Sequence, residues 1–155
     1  MQKIESFTID HLKLEAGLYV SRVDRYNGMT ATTFDMRFTA PNKEAVMSTG
    51  TIHTLEHLGA TFLRNSVLKN RVVYFGPMGC RTGFYLVLFG KATPQDVLDV
   101  IVQMQKFVID FTGDIPGATA IECGNYSDQD LSGAKKYAQK YLDALINNKN
   151  FVYSA

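Results

Sequence analysis

Residues 17–26 open with an alternation of apolar and polar positions that predicts a β-strand, with Leu18, Val20 and Val23 apolar. The alternation slips once after Val20, and a β-bulge accounts for such a slip. Asn27-Gly28 is a strong hairpin turn signal. A second strand is predicted from about Thr30 to Phe38, with Phe34, Met36 and Phe38 on one face and Asp35 and Arg37 on the other. Taken alone, Arg37 is a charge on the sheet surface, paired with Asp35 or a neighbour.

The period then changes. Ile52, Leu55, Leu58, Phe62 and Leu63 form a stripe at helical spacing and predict a helix from about Thr51 to Asn65. Gly59 and Ala60 on that helix are small enough to permit close packing. Two short strands follow, Arg71 to Phe75 and Thr82 to Phe89. The second is apolar on both faces, which predicts a central position in the sheet. Thr93-Pro94-Gln95-Asp96 is a helix start, with a capping Thr, Pro in the first turn and an early acid. That helix is predicted to end near Phe111. Residues 113–117 read as loop and 120–124 as a short extended piece. A last helix is predicted from about Asp130 to Asn147, with Ala134, Ala138, Tyr141, Leu142 and Leu145 on its apolar face. The N-terminal arm is expected to be extended, and the tail after Asn148 to fray. The fold class is therefore α+β, a two-layer sandwich of an antiparallel sheet of about four or five strands packed against three helices.

Composition narrows the classes. A chain of 155 residues predicts a single domain, 1–155, able to bury a core without disulfides. No apolar run approaches the roughly 18 residues of a membrane span. The first six residues have no apolar export signal, so a cytoplasmic location is expected. A net charge of +1 with interspersed signs argues against a nucleic-acid partner. The two cysteines, Cys80 and Cys123, are expected to be free thiols in a reducing compartment.

Candidate chemistry centres on His53-Thr54-Leu55-Glu56-His57, an H-x-x-E-H pattern. On a helix, His53 and His57 stand one turn apart on one face and can share a metal ion. Glu56 borders that face, where a carboxylate can move protons without ligating the ion. A catalytic site usually has three protein ligands and an open position. The third ligand is open between Cys80, Cys123, the remaining acids and His11. Cys80 is flanked by Gly79 and Arg81, and nearby positive charge favours thiolate. The pattern alone also fits a metallopeptidase of the inverted-zincin type, or a non-catalytic metal-binding module.

Longer stretches are more specific. Glu5-Ser6-Phe7 with Asp10-His11, Phe34-Asp35-Met36-Arg37-Phe38, Pro41-Asn42-Lys43, the H-x-x-E-H stretch, the run from Pro77 through Cys80 to Tyr85, and Cys123-Gly124 occur in that order. In these motifs the chain resembles the S-ribosylhomocysteine lyase (LuxS, autoinducer-2 synthase) family over nearly its whole length. The resemblance implies a metal-dependent carbon–sulfur lyase that splits S-ribosylhomocysteine into homocysteine and 4,5-dihydroxy-2,3-pentanedione. It implies carbonyl migration through enediolates, then β-elimination. It implies one metal ion per subunit on His53, His57 and Cys123, described as Fe²⁺ with Zn²⁺ or Co²⁺ able to substitute. Cys80 and Glu56 would be the acid/base pair, and Ser6, His11 and Arg37 substrate-binding positions. A homodimer with both sites at the subunit interface is also implied. One segment departs from the pattern. The family carries an acidic residue and a Ser shortly before Pro-Met-Gly-Cys, where this chain has Tyr74-Phe75-Gly76. That acid is associated with the amino group of the homocysteine end.

Overall fold

The computed structural model describes residues 2, 4 and 7–153. Among them, four strands and three helices follow in the order β1 Gly17–Tyr26, β2 Met29–Arg37, α1 Thr49–Arg64, β3 Val72–Pro77, β4 Gly83–Phe89, α2 Pro94–Asp110 and α3 Leu131–Asn147. The strands make one antiparallel sheet in the order β1-β2-β4-β3. The α+β class and the inner position of β4 are as expected. None of the described helices is long and apolar enough to cross a membrane.

The local chemistry explains the elements. Asn27 and Gly28 both take positive φ, 46° and 77°, which is what a tight two-residue hairpin requires. The β1–β2 register shifts between Val20 and Arg22, so Ser21 is the bulge that the sequence slip predicts. Ser48 caps α1 by accepting from the Thr51 amide at 3.1 Å. The helix therefore starts two residues earlier than its apolar stripe suggests. Thr93 and Asp96 form a capping box on α2.

All three helices cover one face of the sheet. Leu18, Phe34, Met36, Phe84, Leu86 and Leu88 supply that face, and Leu55, Leu58, Ile101, Met104 and Tyr141 meet them. Each fully buried side chain of this kind contributes about 1.5–3 kcal/mol. α1 lies close over β3 because residue 59 is glycine. A Cβ there would stand 2.5 Å from the Phe75 ring.

Three expectations are corrected. The N-terminal arm, where described, consists of turns and bends. Residues 120–124 are a turn rather than an extended piece, since the Glu122 and Cys123 amides both donate to the Thr119 carbonyl at 3.1 and 2.9 Å. The tail beyond Asn148 docks. The Leu18 amide donates to the Asn150 carbonyl at 3.0 Å, and Asn150 Nδ2 donates to the Ala16 carbonyl at 3.1 Å.

Candidate active site

The first group of site residues is built on α1. Its polar side chains hold the loop between α2 and α3 against the helix. Thr54 donates to Gln129 Oε1 at 2.8 Å and accepts from the Asp130 amide at 2.9 Å. Thr51 donates to the Asp130 carboxylate at 2.8 Å. These bonds bring Cys123, 70 residues away in the chain, to 3.3 Å from His53 Nε2. One ligand atom each from His53, His57 and Cys123 lies within 4.8 Å of the others.

The imidazoles are oriented from behind. His53 Nδ1 meets the Asp128 carbonyl at 2.9 Å, and His57 Nδ1 meets the Pro116 carbonyl at 2.7 Å. A carbonyl only accepts, so each Nδ1 carries its proton and each Nε2 keeps its lone pair for a ligand. The following Gly117 has φ +71°, and a Cβ there would sit 3.3 Å from His57 Nδ1. Two imidazoles and a thiol with converging ligand atoms fit a divalent transition metal with a position left open. Glu56 is half-buried and lines a recess of about 300 Å³ with His57, Ala60, Thr61, Pro116 and Gly117. Its carboxylate is not one of the converging ligand atoms.

The second group lies on the opposite face of the sheet. Cys80 sits in the tight connection between β3 and β4, closed by the Arg81 amide on the Met78 carbonyl at 2.9 Å. Arg81 takes a left-handed φ of 59°, a costly conformation for a residue with a side chain. Cys80 is exposed. Its sulfur lies 3.1 Å from the Thr82 hydroxyl and 3.8 Å from Arg37 Nη1. Arg37 stands with Asp35 on the face of β2 opposite Phe34 and Met36, as the alternation predicts. It does pair with Asp35, through Nη2 to Oδ2 at 2.7 Å and Nε to Oδ1 at 3.1 Å. But the pair is buried, with 3% and 1% of the side chains exposed. Tyr19 from β1 and Tyr153 from the C-terminal tail stack beside it, and Tyr153 donates to Asp35 at 3.0 Å.

These contacts set the charge state. Burial pushes the Cys80 thiol up, but hydrogen bonds from the Thr82 hydroxyl and amide and the Arg37 charge outweigh it, so the thiol titrates below its ordinary value. Burial works against the Arg37 charge, and Asp35 more than restores it. Thr82 is a site residue that the strand pattern alone did not single out. Its signal was its place two residues after Cys80.

Among the described residues, one expected residue, His11, is not brought together with either group. His11 is half-buried on the arm, where its Nδ1 meets the Ile9 carbonyl at 2.9 Å. Ser6 lies outside the described residues. At the departing segment, Tyr74 is half-exposed and its ring folds over Gly76, where a Cβ would collide with the tyrosine hydroxyl.

The profile of the S-ribosylhomocysteinase (LuxS) family matches residues 4–152. The chain belongs to the S-ribosylhomocysteinase family. The S-ribosylhomocysteine lyase of Finegoldia magna is 56% identical over 155 residues, spanning 99% of both chains. That of Clostridium acetobutylicum is 52% identical over 149 residues, 96% of this chain and 94% of the relative. That of Borrelia garinii is 51% identical over 150 residues, 96% of each. At this similarity, the family's members and this chain share nearly their whole length.

Proposed function

We propose that the chain is a metal-dependent lyase that cleaves S-ribosylhomocysteine to homocysteine and 4,5-dihydroxy-2,3-pentanedione, the autoinducer-2 precursor. The observation that carries this reading is the convergence of His53, His57 and Cys123 in a member of the S-ribosylhomocysteinase family. These three residues would hold the ion, Fe²⁺ by preference, with Zn²⁺ or Co²⁺ as substitutes. When bound, the ion supplies a Lewis acid that stabilises negative charge on a substrate oxygen.

The chain's own residues move the protons. Cys80 as thiolate takes a proton from a carbon beside the carbonyl of the open-chain sugar and returns it to the neighbouring carbon. Two such rounds carry the carbonyl from C1 to C2 and then to C3, with no net change in atoms or oxidation state. Glu56 as carboxylate then takes the proton from C4, the C4–C5 double bond forms as the C5–S bond breaks, and homocysteine leaves as its thiolate. The enol that remains takes a proton at C5 and gives the dione. Glu56 moves protons on and off the oxygens in the later steps.

Arg37, Ser6 and His11 complete the substrate site. Arg37 reaches the substrate from beside Cys80, where its Nη1 already faces the sulfur. The active form is a homodimer with one site at each end of the interface, so that the arm with Ser6 and His11 serves the partner. The open half of the outer sheet face supports this, with Tyr26, Met29, Tyr74 and Phe89 exposed. Two free cysteines support a reducing, cytoplasmic compartment. The test is homocysteine release from S-ribosylhomocysteine, read with a thiol reagent, using enzyme purified without oxygen and loaded with Fe²⁺. Release that disappears in Glu56→Gln supports the assignment. A folded, metal-loaded protein that releases none overturns it.

A further inference from the structure

We propose that Tyr153, at the end of the C-terminal tail, is a positioning residue for Cys80, acting through Asp35, Arg37 and Thr82. The inference rests on Cys80 being the proton carrier proposed above. Its basis is a chain of hydrogen bonds whose direction is fixed by chemistry as far as the Thr82 hydroxyl. The Tyr153 hydroxyl donates to Asp35 Oδ2 at 3.0 Å. Asp35 also accepts both Arg37 bonds. Arg37 has only donors, and its Nη1 reaches the Thr82 hydroxyl oxygen at 2.6 Å. The Thr82 hydroxyl therefore has its own proton left for the Cys80 sulfur, 3.1 Å away. A thiolate is the partner that this arrangement favours.

Tyr153 is held for the task. Its ring stacks on Tyr19, with centroids 4.6 Å apart and planes 12° from parallel. Burial first, and then Asp35, hold the Tyr153 phenol far above its ordinary titration range, so it stays a donor. The charged and titratable groups around Cys80 are Arg37, with Asp35 behind it, on β2, and Tyr85 on β4. Arg22 on β1 and Tyr19 on the same face lie further along the network.

The sign follows. Without the phenol proton, Asp35 keeps more of its negative charge and offsets more of the Arg37 charge felt at Cys80, which raises the titration of Cys80.

The experiment compares holoenzyme of wild type, Tyr153→Phe and a variant ending at Val152. Iodoacetamide modification of the Cys80 peptide is followed by mass against pH, and kcat/KM is followed against pH in parallel. Tyr153→Phe removes one oxygen and keeps the stack on Tyr19, so it reads the hydrogen bond. Val152→Ala, at an 83% exposed side chain, is the control for general disturbance of the tail. The expected result is an upward shift of the Cys80 midpoint by about half a unit in Tyr153→Phe and by about one unit in the shortened chain. The kcat/KM at neutral pH falls about threefold in Tyr153→Phe and recovers at higher pH. Midpoints equal to wild type in Tyr153→Phe overturn the proposal, as does an equal shift in Val152→Ala. The alkylation result stands apart from turnover. If wild type releases no homocysteine, the lyase assignment falls while the thiol titration still decides the role of Tyr153.

Discussion

The two cysteines of this chain have the same side chain and opposite surroundings. Cys123 faces imidazole nitrogens whose protons are tied up behind them, so what it meets is lone pairs waiting for a cation. Cys80 faces donors, a hydroxyl and a guanidinium, which stabilise an anion but offer nothing to a metal. One environment suits a ligand and the other suits a proton carrier. The supports differ as well. Cys123 is brought in by a loop fastened to α1 through Thr51 and Thr54. Cys80 stands on the rim of the sheet, and the charge beside it comes from a buried pair on β2. Identity of the side chain therefore does not determine the role. The groups that its sulfur meets do.

The sharpest way to separate the two environments is a residue that belongs to neither. Glu56→Gln should lower turnover by about 10²–10⁴-fold, the range for loss of a positioned acid/base. Metal content and the Cys80 alkylation midpoint should both stay as in wild type. A parallel loss of metal would place Glu56 among the ligands and merge the two groups. A smaller effect is expected from Gly117→Ala. The added Cβ meets His57 Nδ1 at 3.3 Å at a backbone φ of +71°, which disturbs the carbonyl of Pro116 that orients the ring. Metal affinity should fall about tenfold, the low end for loss of such a supporting contact, with Cys80 untouched. Competition with a metal-binding dye measures it. Unchanged affinity would show that the Pro116 carbonyl does not orient His57.

The smallest of the three acts on the other side. Thr82→Val keeps the backbone donor and removes the hydroxyl. The folded enzyme holds Cys80 below the ordinary thiol value, so thiolate is present at lower pH than for a free thiol. Losing one stabilising donor moves the midpoint up by about one unit, and alkylation at neutral pH slows by up to about tenfold. Metal binding is unaffected. A midpoint that stays in place would leave the Thr82 amide and Arg37 as the causes of the lowered value.

The comparison also marks how far the sequence reached. The His53–His57 pair was legible because helical spacing alone puts i and i+4 on one face. The hairpin, its bulge at Ser21 and the inner position of β4 were legible from alternation and its single slip. The outer-face position of Arg37 was legible but its burial was not, because only the docked tail with Tyr153 and the Tyr19 ring make that face dry. The flank of Cys80 drew attention to Arg81, whereas the cation at the sulfur comes from 43 residues earlier in the chain. The turn at 119–123 was missed for a related reason, since its backbone bonds carry no residue signature of the Asn-Gly kind. Family motifs named Cys123 as ligand where spacing left it level with Cys80.

The most direct test of this division is to measure bound metal and homocysteine release on the same preparations of Cys80→Ala and Cys123→Ala, made without oxygen and loaded with Fe²⁺. Cys80→Ala should keep its metal and release no homocysteine above background. Cys123→Ala should lose both the metal and the activity. Wild-type release from Cys80→Ala, or full metal occupancy in Cys123→Ala, would contradict the roles assigned to the two sulfurs.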